Sequence, residues 1–391
     1  MKEIMYFTVV TGLTIGLFVS LAEAQERQLL EYRLAREASR TIGSESYKRL
    51  KVTRERLQDV GLPEFESDDP LFYRWSTPMV KAGGLRIALD RSNTSRVRDR
   101  LFIDSDGDGS LKDETAVIAH KTSSQHSYFG PAKVVFEGED GSITYHLNFS
   151  LCDHGSRYLF IRPGGWYEGT ITAGGKEHHC ILIDRNVNGA FNDKSTNAED
   201  CDRIQIGKDD NKGIYFVGNY LEIEGDLHHL EVARDGAYVK LTAAEDVTFG
   251  NVRMPESITE FAAGGENGLF VHKPEDGVCS LPVGQYLIDH WTTERKDDSG
   301  NNWKLQGRRF PKSSRFDVSE AKEIELSIGE PVISTLTTRD RTGKRSFSQS
   351  LMGKLKESIY ITRNGNRAPA PKLHIRSKDG TYNQTFDFRY G

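Results

Sequence analysis

The chain is poor in the features that usually announce a function. Its formal net charge is only −5 over 391 residues, which leaves no overall electrostatic footprint for nucleic acid or an anionic membrane surface. It contains no H-E-x-x-H, no G-x-S-x-G and no phosphate-binding glycine loop, so no motif-bearing zinc protease, serine hydrolase or nucleotide enzyme is announced. Catalytic groups that meet only in three dimensions escape such a scan, so a hydrolase acting on glycans or peptides remains an alternative. Cysteine is scarce: Cys152, Cys180, Cys201 and Cys279. Four cysteines allow three pairings, among which Cys152 with Cys180 or Cys201 is a plausible bridge, and buried thiols are the other reading. After residue 21 no run is apolar enough to cross a bilayer, so the mature chain is expected to lack a transmembrane span.

The one long apolar run is at the start. Lys2 and Glu3 precede apolar residues 4–21, and Ala22-Glu23-Ala24 has the small-x-small form of a cleavage site before Gln25. Residues 1–24 therefore read as a signal peptide, and the protein as exported to the periplasm, cell surface or exterior. An uncleaved anchor is the alternative, because about 18 apolar residues just reach spanning length. No cysteine follows the run to carry a lipid.

A chain this long is expected to form two or three domains. Leu30, Leu34, Ala38 and Ile42, then Tyr47, Leu50, Leu57 and Val60, recur at near-helical spacing, and Gly61 and Pro63 are stop signals. These predict a short helical segment over 25–65, with Glu64 to Pro70 as an acidic linker. Beyond it the period changes to two. Leu85, Ile87 and Leu89 alternate, as do Leu101 and Ile103. Asp140-Gly141, Asp235-Gly236 and Asp379-Gly380 each stand between alternating runs, a hairpin signal because such turns need positive φ. The expected fold is mainly β and antiparallel: a β-rich domain over 66–250 with two loop insertions, a linker over 251–280 rich in glycine and acid, and a C-terminal β-sandwich over 281–391.

The two loop insertions carry the clearest chemistry. Leu101-Phe102-Ile103 runs into Asp104-Ser105-Asp106-Gly107-Asp108-Gly109, and Ile181-Leu182-Ile183 runs into Asp184-Arg185-Asn186-Val187-Asn188-Gly189. Oxygens two residues apart on a tight loop converge on a hard cation that takes six to eight of them. The expected ligands are Asp104, Asp106, Asp108 and Ser110, closed by Asp113 or Glu114. A weaker second set is Asp184, Asn186, Asn188, Ala190 and Asp193, and Asp193 matches Asp113 in position. The first loop resembles EF-hand, dockerin and thrombospondin type-3 loops, a likeness that implies calcium. It departs from them where a bidentate acid belongs twelve residues in: Thr115 stands there, and a strand, not a helix, leads in. Two loops starting from strands imply a structural Ca2+ and not a sensor, since sensing needs movable helices. A weak internal repeat is suggested by Ala82-Gly83-Gly84 and Ala173-Gly174-Gly175.

Other candidates carry less. His178-His179-Cys180 and His228-His229 place neighbours on opposite strand faces, so neither makes a metal site alone. Trp166, Trp291 and Trp303 could bind sugar or simply fill a core. Asn93, Asn148 and Asn383 lie in N-x-[ST] sequons. The stretch Leu281-Pro282-Val283-Gly284-Gln285-Tyr286-Leu287 resembles a late strand of carboxypeptidase-regulatory-like and collagen-adhesin B-type domains, which implies an Ig-like or transthyretin-like sandwich. The chain as a whole resembles exported β-rich proteins of environmental bacteria. The expectation is an exported calcium-binding β protein with a binding or assembly role, its ligand an unidentified glycan or protein and not nucleic acid. Its alternatives are the hydrolase and a carbohydrate-binding module.

Overall fold

The structure, a computed structural model, describes residues 27–53, 61–138, 141–155, 157–208 and 212–390. The signal-like stretch 1–24 lies outside them. Strands account for 53% of the chain and helix for 2%, so the class is mainly β. Among the described residues no helix is long and apolar enough to cross a membrane. One pairing is parallel, that of Phe249–Arg253 with Ile324–Glu325; the other pairings described are antiparallel.

Among the described residues two large hydrophobic cores stand out, with two smaller buried clusters beside them. The larger draws on residues 30 to 241 and the smaller on residues 252 to 359. In the larger core the expected alternation holds. Leu85, Ile87, Leu89, Leu101 and Ile103 are all buried, on the paired strands Leu85–Asp90 and Arg100–Ile103. Val134 and Phe136 are buried on His126–Gly138, and Tyr145, Leu147 and Phe149 on Gly141–Cys152. These two strands form a long hairpin closing at Gly138 opposite Gly141. The turns at Asp235-Gly236 and Asp379-Gly380 likewise join paired strands, Asp226–Val232 with Tyr238–Ala243 and Lys372–Arg376 with Asn383–Asp387.

Three expectations need correction. The segment 25–65 is not helical: it forms strands Gln28–Leu29, Glu31–Leu34 and Lys48–Leu50, with one helical turn at Ser39–Ile42; residues 54–60, with Leu57 and Val60, lie outside the described residues. The cause is tertiary. Each short strand completes the edge of a sheet, with Glu31–Leu34 pairing Gly165–Ala173 and Lys48–Leu50 pairing Leu159–Pro163. Leu30 is buried and Leu34 is exposed, so the i, i+4 spacing marks no common face, although Ala38 and Ile42 do pack on Trp166, Ile181 and Ile183.

The acidic stretch 64–70 is clasped onto the body, not a free linker. Asp90, fully buried, accepts the Glu66 and Ser67 N–H groups at 2.8 and 3.1 Å, and Arg98 bonds Asp69 and Asp153. Phe65 packs edge-on against Phe72 and Phe102.

The 251–280 linker is likewise replaced by structure. It contains strands Phe249–Arg253, Glu260–Gly265, Gly268–His272 and Val278–Pro282, and supplies Val252, Phe261, Phe270 and Cys279 to the second core. Its glycines serve close packing: Gly264 lies against the Phe216 ring and Gly265 against the Gln285 carbonyl, where a Cβ would collide. The second unit thus begins near residue 249. Its core is shared between a three-stranded sheet and a nine-stranded sheet, a sandwich arrangement. The corner Pro282-Val283-Gly284 passes the chain between them, and Tyr286, fully buried, ties it by donating to the Pro282 carbonyl at 2.8 Å. The two units meet where Asn219 and Tyr220 donate backbone hydrogen bonds to Glu266 and Asn267.

The four cysteines are free thiols, with no bridge from Cys152 to Cys180 or Cys201. Cys180 and Cys279 fill the two cores, and burial pushes their thiols up to about 12.

Candidate metal centre and its twin loop

Both loops start where a buried strand ends. Asp104 follows Arg100–Ile103 and Asp184 follows Lys176–Ile183; the two Asp residues are 2% and 0% exposed. The backbone then makes the same turn twice. Gly107 and Gly109 have φ of 76° and 87°, and Val187 and Gly189 at the matching positions have 55° and 92°. Fifth-position side chains cap the seventh residue in both: the Ser110 N–H donates to Asp108 at 2.6 Å, and the Ala190 N–H to Asn188 at 2.8 Å. A valine at positive φ is strained. It is held there by complete burial and by the Trp75 indole N–H, which donates to the Val187 carbonyl at 2.7 Å. The segment 75–80 lies between the loops: a Cβ on Gly107 would touch Val80, and one on Gly189 would touch Met79.

The side chains diverge. In the first loop, one carboxylate oxygen each of Asp104, Asp106 and Asp108 lies within 4.8 Å of the others. Ligands at about 2.3–2.6 Å from one ion stand at most about 5 Å apart, so the spacing suits a single calcium. Asp104 Oδ1 is buried without a hydrogen-bond partner, and burial raises the Asp104 carboxyl, with Asp108 and Asp106 adding repulsion. A buried aspartate with an orphaned oxygen, next to two exposed carboxylates, is the state a cation would relieve. Glu114, one of the two candidate closing acids, ties the end of the loop to its start. Its carboxylate accepts the Ser105 N–H and, at 2.9 Å, the Ser105 hydroxyl, while Asp113 stays exposed. Burial raises Glu114 as well.

In the second loop the protein satisfies its own carboxylates. Asp184 accepts from the Asn188 N–H at 3.2 Å, the Gly189 N–H at 2.7 Å and the Tyr145 hydroxyl at 2.8 Å. Asp193 accepts the side-chain amides of Asn186 and Asn188 at 2.9 and 2.6 Å. Arg185 points away, its guanidinium bonded to the Glu45 carbonyl. The closing residue is one the motif scan missed. Asp202, fully buried, accepts the Arg185 N–H at 3.0 Å and the Asp193 N–H at 2.9 Å. It takes the second-position N–H, as Glu114 does in the first loop. It escaped notice because it lies outside the loop, just before the strand Arg203–Ile206; the available signal was an acidic stretch, Glu199-Asp200-Cys201-Asp202, leading into alternating Ile204 and Ile206. Burial pushes Asp184 up to about 6 and Asp202 well above the carboxylate range, the latter reinforced by Asp184 and Asp193.

Of the lesser candidates, two tryptophans and two histidines are tied to neighbouring acids. Trp166 and Trp291 are buried and bonded to Glu168 and Glu357. His179 bonds Glu168 at 2.8 Å and His229 bonds Asp246 at 3.0 Å. No family model matches the chain, and comparison with curated proteins and with solved structures returns no match.

Proposed function

We propose that the protein is an exported β protein in which the first loop holds one structural calcium ion, the whole serving binding or assembly at the cell envelope or exterior. The observation that carries the calcium reading is the convergence of the three Asp oxygens within 4.8 Å together with the orphaned Asp104 Oδ1. Asp104, Asp106 and Asp108 are the ligands, and the Ser110 carbonyl stands next in line at the seventh position. Glu114 holds the start of the loop in place. The second loop is its metal-free counterpart, in which Asn186, Asn188 and Tyr145 supply the donors that an ion would otherwise make unnecessary. Export rests on the apolar run 4–21 and the Ala22-Glu23-Ala24 sequence after it.

An extracellular module binds calcium with Kd of about 10⁻⁴–10⁻³ M. At about 1 mM calcium this stabilises the fold by roughly 0.4–1.4 kcal/mol. Thermal melts in calcium and in chelator test it: a higher midpoint in calcium, abolished by Asp104→Ala with Asp106→Ala, is expected. Identical melts and no calcium by metal analysis would refute the assignment.

A further inference from the structure

The small net charge of the whole chain conceals a division. Residues 331–391 carry twelve Lys and Arg against four Asp and Glu, whereas the full chain carries 52 against 57. The four acids of this segment are already engaged. Asp340 pairs with Arg345 at 2.8 Å and Asp387 with Lys372 at 3.9 Å. Asp379 is bonded within its own turn, and Glu357 is buried and accepts the Trp291 indole N–H. The uncompensated charge therefore belongs to arginines and lysines.

The same segment forms a groove of ≈ 1090 Å³ with the strand Asn302–Arg308. Its walls include Trp303, Tyr360, Phe388 and Tyr390, and its charged lining residues are Arg367 and Arg389; no Asp or Glu is among the described residues that line it. Tyr360 and Tyr390 are 40% and 46% exposed. The Arg367 guanidinium lies 3.4 Å from the Tyr390 ring centroid, and Arg363 lies 5.5 Å from that of Trp303, so each of these two rings carries a cation over one face. Beside the groove, the hairpin Lys372–Arg376 with Asn383–Asp387 buries no side chain fully, and its Phe386 is 44% exposed. A two-stranded hairpin with so little burial is marginal alone.

We infer that this groove binds an acidic polysaccharide, a chain whose carboxylates meet Arg367 and Arg389 and whose sugar rings lie along the walls formed by Trp303 and Tyr390. Each of these rings has a guanidinium over one face, which leaves its other face for the flat C–H face of a sugar ring, and arginine forks suit carboxylates. Charge density favours this polymer over nucleic acid. Duplex DNA carries a charge about every 1.7 Å, and beyond the groove it would meet a body with 53 Asp and Glu against 40 Lys and Arg over residues 1–330. A uronate chain, with a charge only every sugar or two, meets less of that repulsion. The site lies in the second unit and does not depend on the calcium loop.

The test uses the full chain, in chelator so that calcium bridging plays no part, with hyaluronan as the acidic probe and dextran as the neutral one. The expected result is binding to hyaluronan that weakens at least tenfold between low and physiological salt, with none to dextran. Arg367→Gln with Arg389→Gln, and separately Trp303→Ala, should each weaken it at least tenfold with an unchanged melt. Should either variant fail to fold, the salt dependence of the wild-type chain still decides. No binding to hyaluronan, equal binding to dextran, or tighter binding to a single-stranded oligonucleotide of equal charge would overturn the inference.

Discussion

At the fifth position of the first loop stands Asp108, exposed beside Asp106; at the fifth position of the second stands Asn188, its amide bonded to Asp193. The backbones around them match, down to a valine forced to a φ of 55° where the first loop has glycine. One turn thus accommodates two solutions to one problem, a buried aspartate at the end of a strand. Near the surface the solution leaves an oxygen orphaned and places two more carboxylates beside it, the arrangement on which the calcium proposal rests. In the core the solution is built from amides, a tyrosine hydroxyl and a second buried acid, and leaves Asn186 Oδ1 buried without a hydrogen-bond partner. The difference is a matter of environment: Val187, Ala190 and Phe191 belong to the main core, where an ion and its waters would displace packing.

Breaking the second loop should have the largest effect. Asp202→Ala leaves the Arg185 and Asp193 N–H groups without acceptors, and a buried unmet donor costs about 1–3 kcal/mol. A loss of roughly 2–5 kcal/mol by denaturant titration is expected, the same in calcium and in chelator. Converting the second loop to the first, with Asn186→Asp and Asn188→Asp, should cost about 2–4 kcal/mol in chelator by crowding charge onto Asp193. Calcium should then recover part of the loss; a loss untouched by calcium would show that core packing forbids the ion.

The pH profile separates the loops further. Asp184 rises to about 6 on folding, so the folded chain holds its proton more tightly than the unfolded one. Its contribution therefore weakens as pH rises from about 4 through 6 and is level above that. Denaturant midpoints measured in chelator across that range should carry this downward component, and Asp184→Asn should remove it. The smallest change is the reverse conversion. Asp106→Asn with Asp108→Asn should abolish the calcium shift and alter stability in chelator by less than about 1 kcal/mol, because both side chains are exposed.

Much of the fold was legible because alternation is a local signal. Leu85, Ile87 and Leu89, or Val134 and Phe136, declare one buried face within a few residues. Leu30 and Leu34 misled because short edge strands take their conformation from partners more than 130 residues away, a fact no local window holds. The loops' first six positions could be read for the same local reason. Their closing residues could not. Asp113 and Asp193 share a position, yet Glu114 and Asp202 do the closing, because the second-position N–H needs an acceptor brought in by the returning chain. The basic groove was hidden by summing charge over the whole length, which let an acidic body cancel a basic end.

Calcium stoichiometry, measured by direct metal analysis after equilibration at millimolar calcium, tests the contrast between the loops most directly. The account predicts one ion per chain, none after Asp104→Ala with Asp106→Ala, and one still after Asn186→Ala with Asn188→Ala. Two ions per chain, or an ion lost with the second-loop substitutions and kept without the first-loop aspartates, would contradict it.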